Sequence, residues 1–187
     1  LAGAAGHDGS HFAVSKRPWL NHVAGLGMSL LASPALWLQQ HTYAHHSHTN
    51  DFDRDPDLHH FPWLRVHERF RRVPPHALQR WRLYVYAWYC LVVLGETMYI
   101  PFATLWRGSI HGVAPLNAPG RGRGALAAHA VHAALFVGGI VVVPAVCFDS
   151  AAKAFAFPAV YLACSGLLFG IFSQINHLNE ASIRAAA

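Results

Sequence analysis

The sequence predicts an all-α integral membrane protein with several helices, some of which lie at the membrane surface. The first observation is composition: 53% of the 187 residues are hydrophobic and only 12% are charged, against roughly 25% charged residues in a soluble domain. The second is the concentration of that hydrophobicity in four long stretches. The third is a set of histidine clusters at the edges of those stretches, which predicts a metal site at the membrane surface.

Two of the four apolar stretches suit a membrane-spanning helix, which needs about 20 mostly apolar residues. They run from about 126 to 147 and from about 155 to 175, and we predict that both cross the membrane. Small residues in the second stretch, among them Gly166 and Gly170, permit close contact with another helix.

The other two stretches are predicted to be interfacial or re-entrant helices. Residues 20–38 contain several polar side chains and Pro34. Residues 83–105 contain Glu96, and a carboxylate at the bilayer centre costs roughly 2.5 to 3.5 kcal/mol on insertion scales. If all the histidine clusters serve one site, they lie on one side of the membrane. An even number of membrane crossings must then separate the second cluster from the third. The two predicted spans, 126–147 and 155–175, satisfy this condition.

Three histidine clusters carry most of the functional information. They are His7-Asp8-Gly9-Ser10-His11, His41-Thr42-Tyr43-Ala44-His45-His46 and Gln174-Ile175-Asn176-His177. On a helix, residues four apart share one face, so His7 pairs with His11 and His41 with His45. His46 lies about 100° further round an α-helix, where it can reach the same metal from another side or a second metal. Neutral imidazole is a common ligand of iron, copper and zinc, so the clusters predict metal binding.

Other features of the sequence argue against further classes of function. The net charge is +5, but the arginines at 65–82 do not interleave with aromatics as in a nucleic-acid module. They suit a juxtamembrane cytoplasmic segment, and we expect no nucleic-acid partner. The three cysteines lie in apolar stretches without a CxxC motif, which argues against a disulfide scaffold or a zinc finger. Isolated histidines are expected to be ordinary polar or surface residues: His22, His67, His76 and His111.

At its clusters the chain resembles the membrane fatty acid desaturases, particularly the front-end type. The residues that carry the resemblance are HDGSH at 7–11, HTYAHHSHTN at 41–50 and the following Asp55-Pro56-Asp57. The segment 174–177 resembles an additional histidine segment at the end of that family's last transmembrane helix. The resemblance spans almost the whole chain, so residues 1–187 are expected to form one partial desaturase domain.

The resemblance implies a four-helix membrane base under a cytosolic cap that holds two non-haem irons. It also implies an enzyme of the endoplasmic reticulum that uses O2 and electrons from cytochrome b5 to introduce a double bond into a fatty acyl lipid. Carried over by position, the iron ligands are His7, His11, His41, His45, His46 and His177. Asp55 and Asp57 are weaker candidates, as carboxylates that orient ligating histidines, and a solvated acidic loop is an equal alternative for them. His48 is left out of the ligand set.

One feature departs from the family pattern, because that family ends its ligand set with a QxxHH box. Here His177 is followed by Leu178, Asn179 and Glu180. Either residues 174–178 are a degenerate version of that box or, as we prefer, the box lies beyond Ala187. We therefore expect a fragment that also lacks the family's first membrane hairpin and does not hold both irons in catalytic geometry by itself.

Three other functions compete with the desaturase interpretation. A related His-box lipid hydroxylase would carry similar clusters, but the glycine at 9, the HxxxHH spacing and the Asp-Pro-Asp sequence favour a desaturase. A non-catalytic metal-binding membrane remnant would explain the missing box. A transporter would place its ligands between broken helices in mid-membrane, whereas these histidines flank the apolar stretches.

Overall fold

The computed structural model of the chain describes residues 1–61, 63–65, 75–117 and 121–177, apart from the side chains of 176 and 177. This part of the chain is mostly helical, which confirms the predicted all-α class. The α-helices are α1 (Ala2–Ser10), α2 (Pro18–Gly25), α3 (Pro34–Trp37), α4 (Arg82–Leu94), α5 (Ile100–Arg107), α6 (Arg123–Val137), α7 (Val143–Cys147) and α8 (Ala151–His177). Two short antiparallel strands, β1 (Ser109–Ile110) and β2 (Ala114–Pro115), form a hairpin between α5 and α6.

Irregular helical turns join several of these helices. In the described part of the chain, π-helical turns lie at Leu38–His45, Gly95–Tyr99 and Gly138–Val142, and they continue α3, α4 and α6 respectively. The same part contains 3₁₀ turns at Leu26–Leu30, Pro56–His59 and Ala77–Arg80. π-helical turns are rare and often occur at functional sites, and the first of these contains the second histidine cluster.

Among the described residues, three helices are long and apolar enough to cross a membrane: Arg82–Arg107, Arg123–Cys147 and Ala151–Ile175. The last two contain the predicted spans. The first, which was predicted to be interfacial or re-entrant, qualifies by length and composition although it contains Glu96. That carboxylate does not face lipid, because its residue is only 2% exposed.

The helices α4 and α8 pack closely, as the small residues of α8 allow. A Cβ atom added at Gly166 would lie 2.6 Å from the carbonyl oxygens of Tyr89 and Cys90, and one at Gly170 would lie 2.8 Å from the Tyr89 ring. Only glycine permits this approach of the two backbones. The contact continues into a core that includes Val92, Val93 and residues of α6.

The stretch 20–38 is not one helix but α2, a 3₁₀ turn and α3. Pro34 occupies the first turn of α3, where its fixed φ and missing N–H are tolerated, whereas inside a longer helix it would remove a hydrogen bond. Two histidines of α6 hold this segment: His129 Nδ1 lies 2.8 Å from Ser33 Oγ and His132 Nε2 donates to the carbonyl of Ser29 at 3.0 Å. The membrane helix α6 therefore supports the segment that leads into the second histidine cluster.

Candidate metal centre

Five histidines of the first two clusters converge at one place. His7 and His11 come from the end of α1, His41 and His45 lie in the π-helical turn that continues α3, and His46 directly follows that turn. The ring centres of His7 and His11 lie 4.6 Å apart, those of His11 and His46 also 4.6 Å, and those of His7 and His41 5.0 Å. We call this group the five-histidine cluster: His7, His11, His41, His45 and His46.

The π-helical winding brings His46 into the cluster. The amide of His46 donates to the carbonyl of His41 at 3.2 Å, which is the i→i+5 bond of a π-helix. In a regular α-helix those two residues would point in different directions. Here Nε2 of His46 lies 3.3 Å from Nε2 of His41. Two nitrogens bound to one metal at 2.0–2.1 Å stand about 3.0 to 3.4 Å apart, so this pair has the spacing of two ligands of one ion.

Trp37 and Gly9 help to position the first histidine cluster (residues 7–11, the first box) beside the second (residues 41–46, the second box). Trp37 stacks on the ring of His41, with centres 4.3 Å apart, and its Nε1 donates to Ser10 Oγ at 3.3 Å. The glycine of the first box is also required by packing, because a Cβ at Gly9 would lie 2.4 Å from the amide nitrogen of Gly25. The helix α1 can therefore lie directly on α2 and present both of its histidines.

Buried carboxylates stand behind two of the histidines. Nδ1 of His45 lies 2.8 Å from Oδ1 of Asp55, and Nδ1 of His41 lies 2.7 Å from Oδ2 of Asp57. Asp55 is itself fixed, since it accepts from the amides of Asn50 at 2.8 Å and of Asp57 at 2.9 Å. Each carboxylate favours the imidazole tautomer with the proton on Nδ1, which leaves Nε2 as an acceptor for a metal.

The pKa values in the cluster differ according to these partners. Burial, together with the neighbouring histidines, lowers the pKa of His11 to about 4 and also lowers that of His46. Burial would lower the pKa of His45 too, but the hydrogen bond to Asp55 and the charge of Asp57 raise it. Burial alone would raise the pKa of Asp57. The hydrogen bond from His41 and the charge of His60 outweigh burial and hold this pKa below its ordinary value. His11 and His46 are therefore neutral near pH 7, as metal ligands must be.

The donor set fits a metal ion. Nε2 of His11 is buried and makes no hydrogen bond with any residue in the described part of the chain, and such a nitrogen costs about 1 to 3 kcal/mol. An ion at the centre of the cluster would give this nitrogen a partner. The imidazoles suit iron as well as zinc and copper.

Comparison with known proteins identifies the family to which these features belong. A family model described as fatty acid desaturase matches residues 1–186. The chain belongs to the fatty acid desaturase family. No solved structure matches it significantly.

Several curated relatives match about half of this desaturase chain. An acyl-lipid (7-3)-desaturase of Diacronema lutheri is 37% identical over 94 residues, which are 50% of this chain and 19% of the relative. An acyl-lipid omega-13 desaturase of Chlamydomonas reinhardtii is 35% identical over 106 residues, 55% of this chain and 22% of the relative. An sn-1 linoleoyl-lipid 6-desaturase of Synechocystis is 28% identical over 107 residues, which are 57% of this chain and 29% of the relative. The matched segment is therefore a small part of each relative's length.

The sixth predicted ligand of this desaturase chain is not tested. His177 lies at the end of α8, but its side chain is outside the described residues, as is the segment from 178 onward. The arginine cluster at 65–82 and His67 also fall largely on residues that the structure does not describe. The ligand roles of the five converging histidines and the orienting roles of Asp55 and Asp57 stay predictions.

The structure also groups residues that the sequence analysis did not select. Beside Asp57 lies a second buried group of His60, Glu96 and His111. His111 was expected to be an ordinary polar or surface residue, but its side chain is only 5% exposed. The one sequence signal for this group was Glu96 itself, because an acidic residue within an apolar stretch is costly unless it has a partner.

Proposed function

We propose that this chain is the histidine-box part of an acyl-lipid desaturase, a membrane enzyme that introduces a double bond into a fatty acyl chain of a lipid. The observation that carries the proposal is the convergence of five imidazoles from two separate boxes. Membership of the desaturase family supports the reaction type, and the names of the curated relatives support acyl lipids as the substrate class.

The cofactor would be a pair of non-haem irons, held by the five-histidine cluster together with His177. When bound, the irons supply the oxidising power that an unactivated C–H bond requires, with O2 as oxidant and cytochrome b5 or a similar protein as electron donor. Asp55 and Asp57 hold the Nδ1 protons of two ligands and so keep each Nε2 directed toward the metal. The low pKa of His11 keeps that imidazole neutral and ready to bind.

The membrane helices would bring the site to its substrate. Apolar residues of α8 such as Phe155, Leu168 and Phe172 are exposed, which suits a helix surrounded by lipid acyl chains. We further propose that the histidine boxes face the cytosol at the endoplasmic reticulum, the side from which a soluble haem domain of the cytochrome b5 type would deliver electrons.

The test is expression in yeast of the open reading frame that contains this chain, followed by fatty-acid profiling of the extracted lipids. We expect a new unsaturated fatty acid, which His45→Gln abolishes because it removes a ligand. His48→Gln is the matched control, since His48 lies in the same segment but outside the cluster, and it should keep most of the product.

Other outcomes would reject the proposal in different ways. A new hydroxy fatty acid would identify a lipid hydroxylase. Metal bound to the inserted protein without any new lipid product would identify a non-catalytic remnant. A new double bond that survives His45→Gln would mean that the five-histidine cluster is not the site of the reaction.

A further inference from the structure

A second group of metal-ligating side chains lies apart from the five-histidine cluster. Oε1 of Glu96 is 3.0 Å from Nδ1 of His60 and 3.6 Å from Nε2 of His111. All three side chains are buried, with exposed fractions of 1% for His60, 2% for Glu96 and 5% for His111. One ligand atom from each residue lies within 4.8 Å of the others.

The three residues come from distant parts of the chain. His60 follows the 3₁₀ turn after the second box, Glu96 lies in the π-helical turn between α4 and α5, and His111 lies in the β1–β2 turn. The backbone of His111 has φ of 48°, in the left-handed region that non-glycine residues seldom adopt. Gly112 also has a positive φ, as successive residues of a tight hairpin turn commonly do, so the turn between β1 and β2 fixes the position of this imidazole.

We propose that His60, Glu96 and His111 bind a divalent transition-metal ion, in a site separate from the five-histidine cluster. The distances of 3.0 and 3.6 Å from the Glu96 oxygen to the two nitrogens are close to the spacing of about 3.0 to 3.4 Å expected between ligands at 2.0–2.2 Å from one ion. Two imidazoles and one carboxylate are a ligand set used for both Zn²⁺ and Fe²⁺. Oε1 of Gln40 and Nε2 of His111 lie 3.2 Å apart and share a hydrogen bond; when an ion binds Nε2 in place of that proton, Oε1 of Gln40 is close enough to serve as a fourth ligand.

The surroundings of the three residues also suit a metal. Asp57 Oδ1 lies 3.2 Å from Nε2 of Gln40 and 3.6 Å from Nε2 of His60. It can therefore orient the Gln40 amide and the His60 imidazole. A cavity of about 460 Å³ adjoins the ligands, and its lining includes Trp88 and Tyr99. The cavity supplies an entry path and room for a water on an open coordination position.

A plain ion pair between His60 and Glu96 is the main alternative explanation of this group. That pair would satisfy the buried carboxylate without any ion and would not need the imidazole of His111. The two explanations therefore differ in what the variant His111→Gln does: it removes a ligand from a metal site but leaves both members of the ion pair in place.

The test measures zinc bound to the purified chain in detergent, after chelator treatment, Zn²⁺ titration and desalting. The starting variant carries His11→Gln, His45→Gln and His46→Gln, which disable the five-histidine cluster. We expect it to retain about one zinc per chain, and the further change His111→Gln to weaken that binding at least about tenfold. The matched control is His22→Gln, an exposed histidine outside both groups, which should leave the retained zinc unchanged.

The proposal is overturned if the starting variant elutes as a folded, monodisperse species but holds no zinc. It is equally overturned if His111→Gln leaves the bound zinc unchanged. Should the triple variant fail to fold, His111→Gln in the wild-type chain must lower bound zinc by about one ion, and an unchanged content rejects the site. The zinc measurement does not depend on any lipid product, so failure of this site and failure of the desaturase proposal are distinguishable.

Discussion

Replacing Asp55 by asparagine should weaken metal binding in the five-histidine cluster without removing any ligand. Asp55 is fully buried and accepts hydrogen bonds on both oxygens: Oδ1 from His45 and Asp57, Oδ2 from Asn50. An asparagine has only one acceptor oxygen, so either orientation of its amide points an N–H group at one of these donors. The orientation that keeps the amide oxygen at His45 and Asp57 loses the bond from Asn50. The hydrogen bond from His45 then goes to a neutral amide instead of a carboxylate, so this imidazole is held less firmly although the side chain keeps its size.

The magnitude follows from the number and kind of bonds at Asp55. Each hydrogen bond to a charged group contributes about 1.5 to 3 kcal/mol, and an unsatisfied buried donor costs a comparable amount. Loss of a carboxylate behind a ligating histidine typically lowers metal affinity about 10- to 100-fold, which corresponds to about 1.4 to 2.7 kcal/mol. We therefore expect Asp55→Asn to raise the Kd for Zn²⁺ by that factor and to lower the melting temperature of the apo chain.

The assay is competition for Zn²⁺ against a chelating dye, with thermal unfolding of the same preparation in detergent. Asp53→Asn is the matched control, because Asp53 is exposed in the same acidic segment and should change neither quantity. A Kd within twofold of wild type for a folded Asp55→Asn protein would refute the reasoning that this carboxylate orients a metal ligand.

Two further substitutions test how the first histidine box is held. Gly9→Ala would place a Cβ 2.4 Å from the amide nitrogen of Gly25. We expect this overpacking to lower the free energy of unfolding by about 1 to 3 kcal/mol and to weaken zinc binding. Gly124→Ala, where a Cβ meets nothing within 4 Å, is its control, and equal melting temperatures for the two would contradict the close-packing argument. Asn21→Ala removes the side chain that bonds the amide and the carbonyl of Ser15 at 3.0 and 2.6 Å. Loss of these buried bonds should lower the free energy of unfolding by about 1 to 3 kcal/mol. A melting temperature equal to that of wild type would show that the loop after α1 does not depend on them.

The sequence pattern predicted which histidines of the first two boxes come together, because residues four apart share a helical face. That argument applies directly to His7 and His11 at the end of α1. It did not anticipate the π-helical turn, since an HxxxHH spacing fits an α-helix equally well in sequence. The placement of His46 beside His41 depends on the i→i+5 bond, which only the folded chain reveals.

The second buried group was beyond the reach of sequence reasoning because its members are brought together only by tertiary structure. His60 and His111 are 51 positions apart and neither belongs to a local motif. Glu96 made its apolar stretch look unsuited to the membrane, since insertion scales assume a carboxylate facing lipid. In the folded chain that carboxylate is buried against His60, so the assumed cost does not apply to it.

The π-helical turn at Leu38–His45 has a consequence for how this chain can change in length. A residue inserted into or removed from that turn would change its winding and with it the relative positions of His41, His45 and His46. It would also change the spacing between these histidines and the carboxylates that contact them. Insertions and deletions should therefore be poorly tolerated between Trp37 and Asp57. Between Trp37 and Asp57, chain length specifies the site as much as residue identity does.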